Sequence, residues 1–183
     1  GAIHSVVFAG FSAESLAQRI IDGESDVIMT TDAGLRGGRR IELKSIADDA
    51  ITIAAAAGIE VRRMFVNHRA GDGVGPDSPG WVEGRDVDLA AIMAEQDEDC
   101  EPEHMDAEDP LFILYTSGST GKPKGLLHTH AGYMVFAATT CKYVFDLNPD
   151  RDLHFCTADI GWITGHTYIV YGPLLNRVHT LMF

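Results

Sequence analysis

The sequence predicts an α/β protein with a largely parallel sheet flanked by helices, and three observations carry that expectation. Short apolar, partly β-branched runs alternate with longer segments of helical periodicity. Such alternation favours parallel strands joined by right-handed helical crossovers. The 183 residues are enough to bury a real core, and no internal repeat points to a solenoid instead.

Taken in order, residues 3–8 read as a short buried strand. Ser12 then starts a helix: its hydroxyl can cap the first turn, and Leu16, Ala17, Ile20 and Ile21 line one face before Gly23 ends it. Residues 26–30 read as the next strand. Three glycines and three arginines interrupt the pattern at residues 34–40. An amphipathic helix follows at 46–57, closed by Gly58, and a strand at 61–66. Gly, Pro and Asp mark residues 71–84 as a long loop, and 87–94 as a short helix. Further on come a strand at 111–115, a glycine-rich loop, a helical pattern at 130–145, a strand at 153–157, a helix at 163–171 stopped by Gly172-Pro173, and a last strand at 178–183.

The formal charge of −13 argues against a nucleic-acid partner, because such binding needs clustered Lys and Arg. Much of the acidity lies in EQDEDCEPEHMDAED at residues 95–109, which reads as a solvated linker. The cysteines Cys100, Cys141 and Cys156 are an odd, widely spaced set, simplest as reduced thiols in the cytoplasm. Neither a signal peptide nor an apolar stretch of bilayer length is visible, so no membrane partner is expected.

The most informative string is YTSGSTGKPKG at residues 115–125, directly after the apolar run 111–114. Gly118, Gly121 and Gly125 are read as allowing positive φ and close approach to a ligand. The hydroxyls of Thr116, Ser117, Ser119 and Thr120 can donate to phosphate oxygens, and Lys122 and Lys124 add positive charge. Together they make a cradle for a nucleotide triphosphate. Pro123 follows Lys122 and Gly118 lies only three residues before Gly121, so the string is not G-x-x-x-x-G-K-[ST]. No G-x-S-x-G elbow supports a hydrolase triad.

This string resembles the phosphate-binding signature of the adenylate-forming superfamily, which includes acyl-CoA synthetases, peptide-synthetase adenylation domains and luciferases. Within it, GAIHSVVF at residues 1–8, the helix from Ser12, GLRGGR at 34–39 and CTADIGWITGH at 156–166 all look like the AMP-forming acetyl-CoA synthetases. The resemblance spans nearly the whole chain. It implies that the chain is an internal part of the large N-terminal domain of an adenylate-forming enzyme, without that family's C-terminal lid domain.

It further implies a two-step reaction. Acetate attacks the α-phosphorus of MgATP to give acetyl-AMP and pyrophosphate, and coenzyme A then takes the acetyl group and releases AMP. By resemblance, Thr116, Ser117, Gly118, Ser119, Thr120, Gly121, Lys122 and Lys124 hold the ATP phosphates. Trp162, Ile163 and Thr164 line the acyl pocket, and Thr164 also meets the arriving thiol. Arg36, Gly37, Gly38 and Arg39 contact the phosphorylated end of coenzyme A, a task suited to the guanidinium fork. The substrates and metal so implied are acetate, ATP, coenzyme A and Mg2+, with no metal-binding residue assigned in this chain.

Some readings stay open. Trp162 on its own equally suits a core anchor, and a pocket that small discriminates propionate by only about 1–3 kcal/mol. A propionate-activating sibling and a noncatalytic nucleotide-binding piece are the alternatives. His128-Thr129-His130 lacks ligand spacing for a metal and reads as surface or capping. His166 is expected to support the pocket, and Asp159 to assist a turn or a cap. The family's adenine-binding segment, its acidic and aromatic motif, its ribose-binding aspartate, its hinge and its lid lysine find no match in these residues, so acetate-dependent exchange is not expected from them alone.

Overall fold

A computed structural model describes residues 1–69, 74–116 and 123–182. They fall into two compact units, Ala9–Glu101 and, separately, Gly1–Phe8 with the residues from Pro102 onward. The boundary between Glu101 and Pro102 lies inside the acidic run, whose residues 95–104 are all exposed, as a charged linker requires.

In the first unit, alanines let helices approach a small parallel sheet closely. Helix α1 (Ala13–Asp22) begins where the Ser12 hydroxyl accepts the Ser15 N–H, and Gly23 closes it with an N–H to the Arg19 carbonyl. Strand β1 (Val27–Thr31) leads into a hairpin of β2 (Gly34–Arg36) and β3 (Arg39–Ile41), so the interruption at residues 34–40 is itself an ordered element. Helix α2 (Leu43–Ala56) ends at Ala57, and Gly58 follows at a φ of 89°, a left-handed conformation that glycine reaches without a Cβ penalty. Strands β4 (Arg63–Asn67) and β5 (Asp86–Asp88) complete a three-stranded parallel sheet in the order β1-β4-β5. Asp88 then caps α3 (Leu89–Ala94) by accepting the Ala90 and Ala91 N–H groups.

The core of this unit joins Ala17 and Ile20 of α1, Ala47, Ala50, Ile51 and Ala54 of α2, and Met64 and Val66 of β4. Beside it lies a fully sequestered ammonium. Lys44 on α2 places Nζ 2.8 Å from Asp86, 2.9 Å from Asp48 and 2.7 Å from the Gly80 carbonyl, so each of its three protons has an acceptor.

In the second unit β6 (Pro110–Thr116) pairs antiparallel with β7 (Lys124–Thr129). The sequence reading did not foresee β7, because its leucines, Leu126 and Leu127, are exposed rather than buried. Residues 3–8, expected as a strand, contribute only an isolated bridge from His4 to Phe112, where the Ile113 N–H meets the His4 carbonyl at 2.9 Å. A strand needs a continuous ladder, and here one register position is met.

Helix α4 (His130–Thr139) passes into a wide π-helical turn over Thr140–Val144. Strand β8 (Leu153–Phe155) pairs in parallel with β9 (His179–Leu181). Between them come α5 (Ile163–Gly165), a second π-helical stretch over His166–Tyr171, and α6 (Gly172–Leu175). Gly172-Pro173 therefore starts a turn of helix rather than stopping one, since proline is tolerated at a first helical turn. Leu111, Phe112 and Leu114 of β6 with Tyr133 of α4 form the core here, with Met134 and Tyr171 packed on it.

Candidate active site

Backbone constraints expose one short edge of the second unit. Asp159 makes a tight turn: its carboxylate accepts the Gly161 N–H at 2.7 Å and its carbonyl accepts the Trp162 N–H at 3.1 Å. Trp162 then enters α5 in an extended conformation, φ −116° and ψ 156°. The consequence is that Trp162, Ile163 and Thr164 all face solvent while Gly161 and Gly165 on either side are buried. Trp162 is 45% exposed among the described residues, and its ring leans on Phe8 with centroids 5.8 Å apart.

The two flanking glycines are there for want of space. A Cβ on Gly161 would meet the Phe8 Cα at 3.1 Å, and one on Gly165 would lie 2.2 Å from the Asp159 carbonyl oxygen. Asp159 thus acts in the turn, as the sequence reading expected.

Behind this edge the Trp162 carbonyl accepts the His166 N–H at 3.1 Å and is also 3.2 Å from His166 Nδ1. A carbonyl only accepts, so this contact is a hydrogen bond in the tautomer that carries its proton on Nδ1. Buried His166 stacks on His4 with centroids 5.7 Å apart, and Phe112 lies 4.7 Å from both the His166 and the His128 rings. Burial lowers the pKa of all three histidines below the ordinary value, and proximity to His166 lowers those of His4 and His128 further. His166 is therefore a packed, neutral support. His128 sits in the same aromatic cluster rather than on the open surface.

Of the phosphate-loop residues, Thr116 and Lys124 are described, exposed and directly opposite each other at the end of the β6–β7 ladder. Ser117, Gly118, Ser119, Thr120, Gly121 and Lys122 lie outside the described residues. The positive-φ reading of Gly125 is corrected: it is absent from the residues with positive φ, and a Cβ there would lie 3.0 Å from Ile113 Cγ2 and 3.1 Å from the Tyr115 ring. A Cβ there requires the Ile113 and Tyr115 side chains of β6 to shift.

In the first unit Arg36 and Arg39 face each other across the β2–β3 ladder, joined by Gly37 at φ 53° and Gly38 at φ 75°. Two successive positive φ values are the requirement of a two-residue hairpin turn, and no atom lies within 4 Å of a Cβ added at either glycine. Like charges directly across a ladder repel.

Beside the hairpin a cavity of about 210 Å³ is lined by Ala33, Gly34, Leu35, Arg40 and Arg69. It lies just past the carboxyl ends of β1 and β4, where parallel sheets collect ligands. Buried Asp32 shapes it by accepting the Ala33 N–H at 2.6 Å and the Arg69 N–H at 2.9 Å. Sequence reasoning missed Asp32 and Arg69, which stand 37 residues apart and carry no shared motif. Among the described residues no three His, Cys, Asp or Glu converge as a metal site, and no helix is long and apolar enough to cross a membrane.

Parallel strands with flanking helices define an α/β protein. The AMP-binding enzyme family matches residues 1–183, and the chain belongs to that family. It is 56% identical to the acetyl-coenzyme A synthetases of Mesorhizobium japonicum and Rhizobium meliloti and 55% identical to that of Novosphingobium aromaticivorans. In each case 100% of this chain is covered, and the chain spans 27% of the relative's length.

Proposed function

We propose that the polypeptide containing these residues is an AMP-forming acetate–CoA ligase. The observation that carries this reading is 56% identity over the entire chain to proteins named acetyl-coenzyme A synthetase, motif-bearing segments included. In the first step a carboxylate oxygen of acetate attacks the α-phosphorus of ATP and pyrophosphate leaves. In the second, coenzyme A sulfur attacks the acetyl carbonyl and AMP leaves.

The physical obstacle in the first step is the meeting of two anions, which positioned donors and cations overcome. Thr116, Ser117, Gly118, Ser119, Thr120, Gly121, Lys122 and Lys124 take the β- and γ-phosphates in this reading, with Mg2+ arriving on the nucleotide. The exposed Trp162–Ile163–Thr164 edge bounds the acyl cavity, a bulky ring and a branched aliphatic leaving room for two carbons. Arg36, Gly37, Gly38 and Arg39, with Thr164 at the thiol end, receive coenzyme A; the cross-strand arginine pair supports this. Residues 1–183 form part of the N-terminal domain, and the lid belongs to the remainder of the polypeptide. The free cysteines Cys100, Cys141 and Cys156 support a cytoplasmic setting.

The test is acid-dependent ATP–pyrophosphate exchange, measured on the complete polypeptide and on the 183 residues alone. Exchange with acetate is expected from the complete polypeptide only. Higher kcat/KM for propionate than for acetate overturns the acetate assignment, and exchange with neither acid overturns the ligase reading.

A further inference from the structure

The exposed acyl edge is held from behind by a buried pair of hydroxyls that no motif announces. The Tyr133 hydroxyl on α4 lies 2.8 Å from Thr167 Oγ1, and Thr167 Oγ1 donates to the Ile163 carbonyl at 2.8 Å. A threonine hydroxyl has a single proton, and the carbonyl can only accept. The chain therefore runs one way, from Tyr133 O–H to Thr167 to Ile163. Tyr133 is buried and Thr167 is 2% exposed, so both hydroxyls are withdrawn from bulk water.

Two features make this a device for placing the edge rather than a routine helix bond. The Ile163–Gly165 turn passes directly into the π-helical stretch His166–Tyr171, a widened geometry that is uncommon and concentrates at functional sites. A threonine side chain that back-bonds the carbonyl four residues earlier also biases the local helix path. Tyr133 in turn is clamped by perpendicular ring contacts to Phe112 at 4.7 Å and Tyr171 at 5.4 Å. Its pKa is pushed up to about 12 by burial, so it stays a proton donor throughout the physiological range.

We propose that Tyr133 and Thr167 are positioning residues for acid selection: acting in series on the Ile163 carbonyl, they set how far Trp162, Ile163 and Thr164 project into the acyl cavity. This rests on the reading of that edge as the acyl pocket. The ligand class is a short carboxylic acid, and the property controlled is the discrimination between two and three carbons. Thr167→Val removes both bonds and orphans the buried tyrosine hydroxyl, Tyr133→Phe removes only the first, and Thr167→Ser keeps both.

The test is the ratio of kcat/KM for acetate over propionate in acid-dependent exchange by the complete polypeptide, with the KM for ATP measured alongside. Thr167→Val is expected to raise the acetate KM and lower the ratio at least about threefold, within the roughly 10–200-fold that one methylene commands. Tyr133→Phe is expected to shift both in the same direction by less, Thr167→Ser to restore the wild-type ratio, and the ATP KM to stay within about twofold throughout. A lowered melting temperature with an unchanged ratio in both Thr167→Val and Tyr133→Phe overturns the proposal by making the pair merely structural. An unchanged ratio on Trp162→Ala marks instead a failure of the acyl-pocket reading, and wild-type polypeptide without exchange removes both together.

Discussion

Replacement of Gly165 by alanine isolates the contribution of space from that of backbone conformation. Gly165 has φ −66° and ψ −46°, values any residue adopts, so alanine meets no torsional penalty there. By propensity alone the exchange stabilises a helical position by about 0.5–1 kcal/mol. The added Cβ, however, lies 2.2 Å from the Asp159 oxygen, 2.5 Å from its carbonyl carbon and 2.6 Å from the Ile160 Cα. That is ~1 Å or more inside ordinary contact. Every obstructing atom is backbone, so no rotamer change relieves it, and the cost belongs at the upper end of the ~1–3 kcal/mol typical of overpacking. The net expectation is a loss of about 2 kcal/mol.

Gly132→Ala is the matched control. It also sits in a helix, α4, but its added Cβ finds only Thr129 Oγ1 at 3.6 Å, an ordinary contact. It should be neutral or stabilising by up to about 1 kcal/mol. Urea melts of both variants of the complete polypeptide, followed by far-UV circular dichroism, read the difference. Equal midpoints for Gly165→Ala and Gly132→Ala would refute the reasoning that crowding by the Asp159 turn selects glycine at 165.

Further expectations follow from other buried groups. Lys44→Met leaves the Asp86 carboxylate buried with Arg85 and the Val82 N–H as its remaining partners, so stability should fall by about 3 kcal/mol, the lower end for breaking a buried pair; an unchanged urea midpoint would count against that network. The histidines His4, His128 and His166 all have folded pKa values below the ordinary 6.5, so the unfolded chain takes up protons first as pH falls. Their stability contribution is complete above that value and is lost below it, until the folded histidines themselves protonate. Urea midpoints should therefore drop as pH falls below about 6.5, and a flat profile would rule the linkage out. Asp86, with a carboxyl held below its usual 3.8 by Arg85 and Lys44 despite desolvation, acts only at lower pH, losing its contribution as pH falls through the depressed value. Gly125→Ala presses on the Ile113 and Tyr115 side chains, which can shift, so a modest loss of about 1 kcal/mol is expected, and a loss above ~3 kcal/mol would show that those side chains cannot yield.

Legibility in the sequence followed how local each signal was. The Ser12 cap, the Gly58 stop and the turn at Asp159 were readable because capping and turn chemistry act over two to four residues. The strands β4 and β6 were readable because core strands carry apolar runs, and β1 because its run is largely apolar and β-branched although Val27 and Met29 are exposed. Strand β7 was not, since its register comes from pairing with β6 while its leucines remain exposed. The wide turns over Thr140–Val144 and His166–Tyr171 were read as plain helix, because a π turn leaves the apolar pattern almost unchanged.

By itself the sequence determined the alternating α/β architecture, the acidic linker, and the ordered strings at residues 34–39, 115–125 and 156–166 that mark the family. Those properties reside in short-range order and composition, and a linear chain displays both directly. Only the tertiary structure decided that Trp162 projects to solvent, that Gly125 and Gly165 answer to crowding, and that Tyr133 reaches the Ile163 carbonyl through Thr167. Each of these depends on atoms brought together by folding, Tyr133 and Thr167 from 34 residues apart, and a pairing at that separation leaves no periodicity or spacing for a reader of the chain to find.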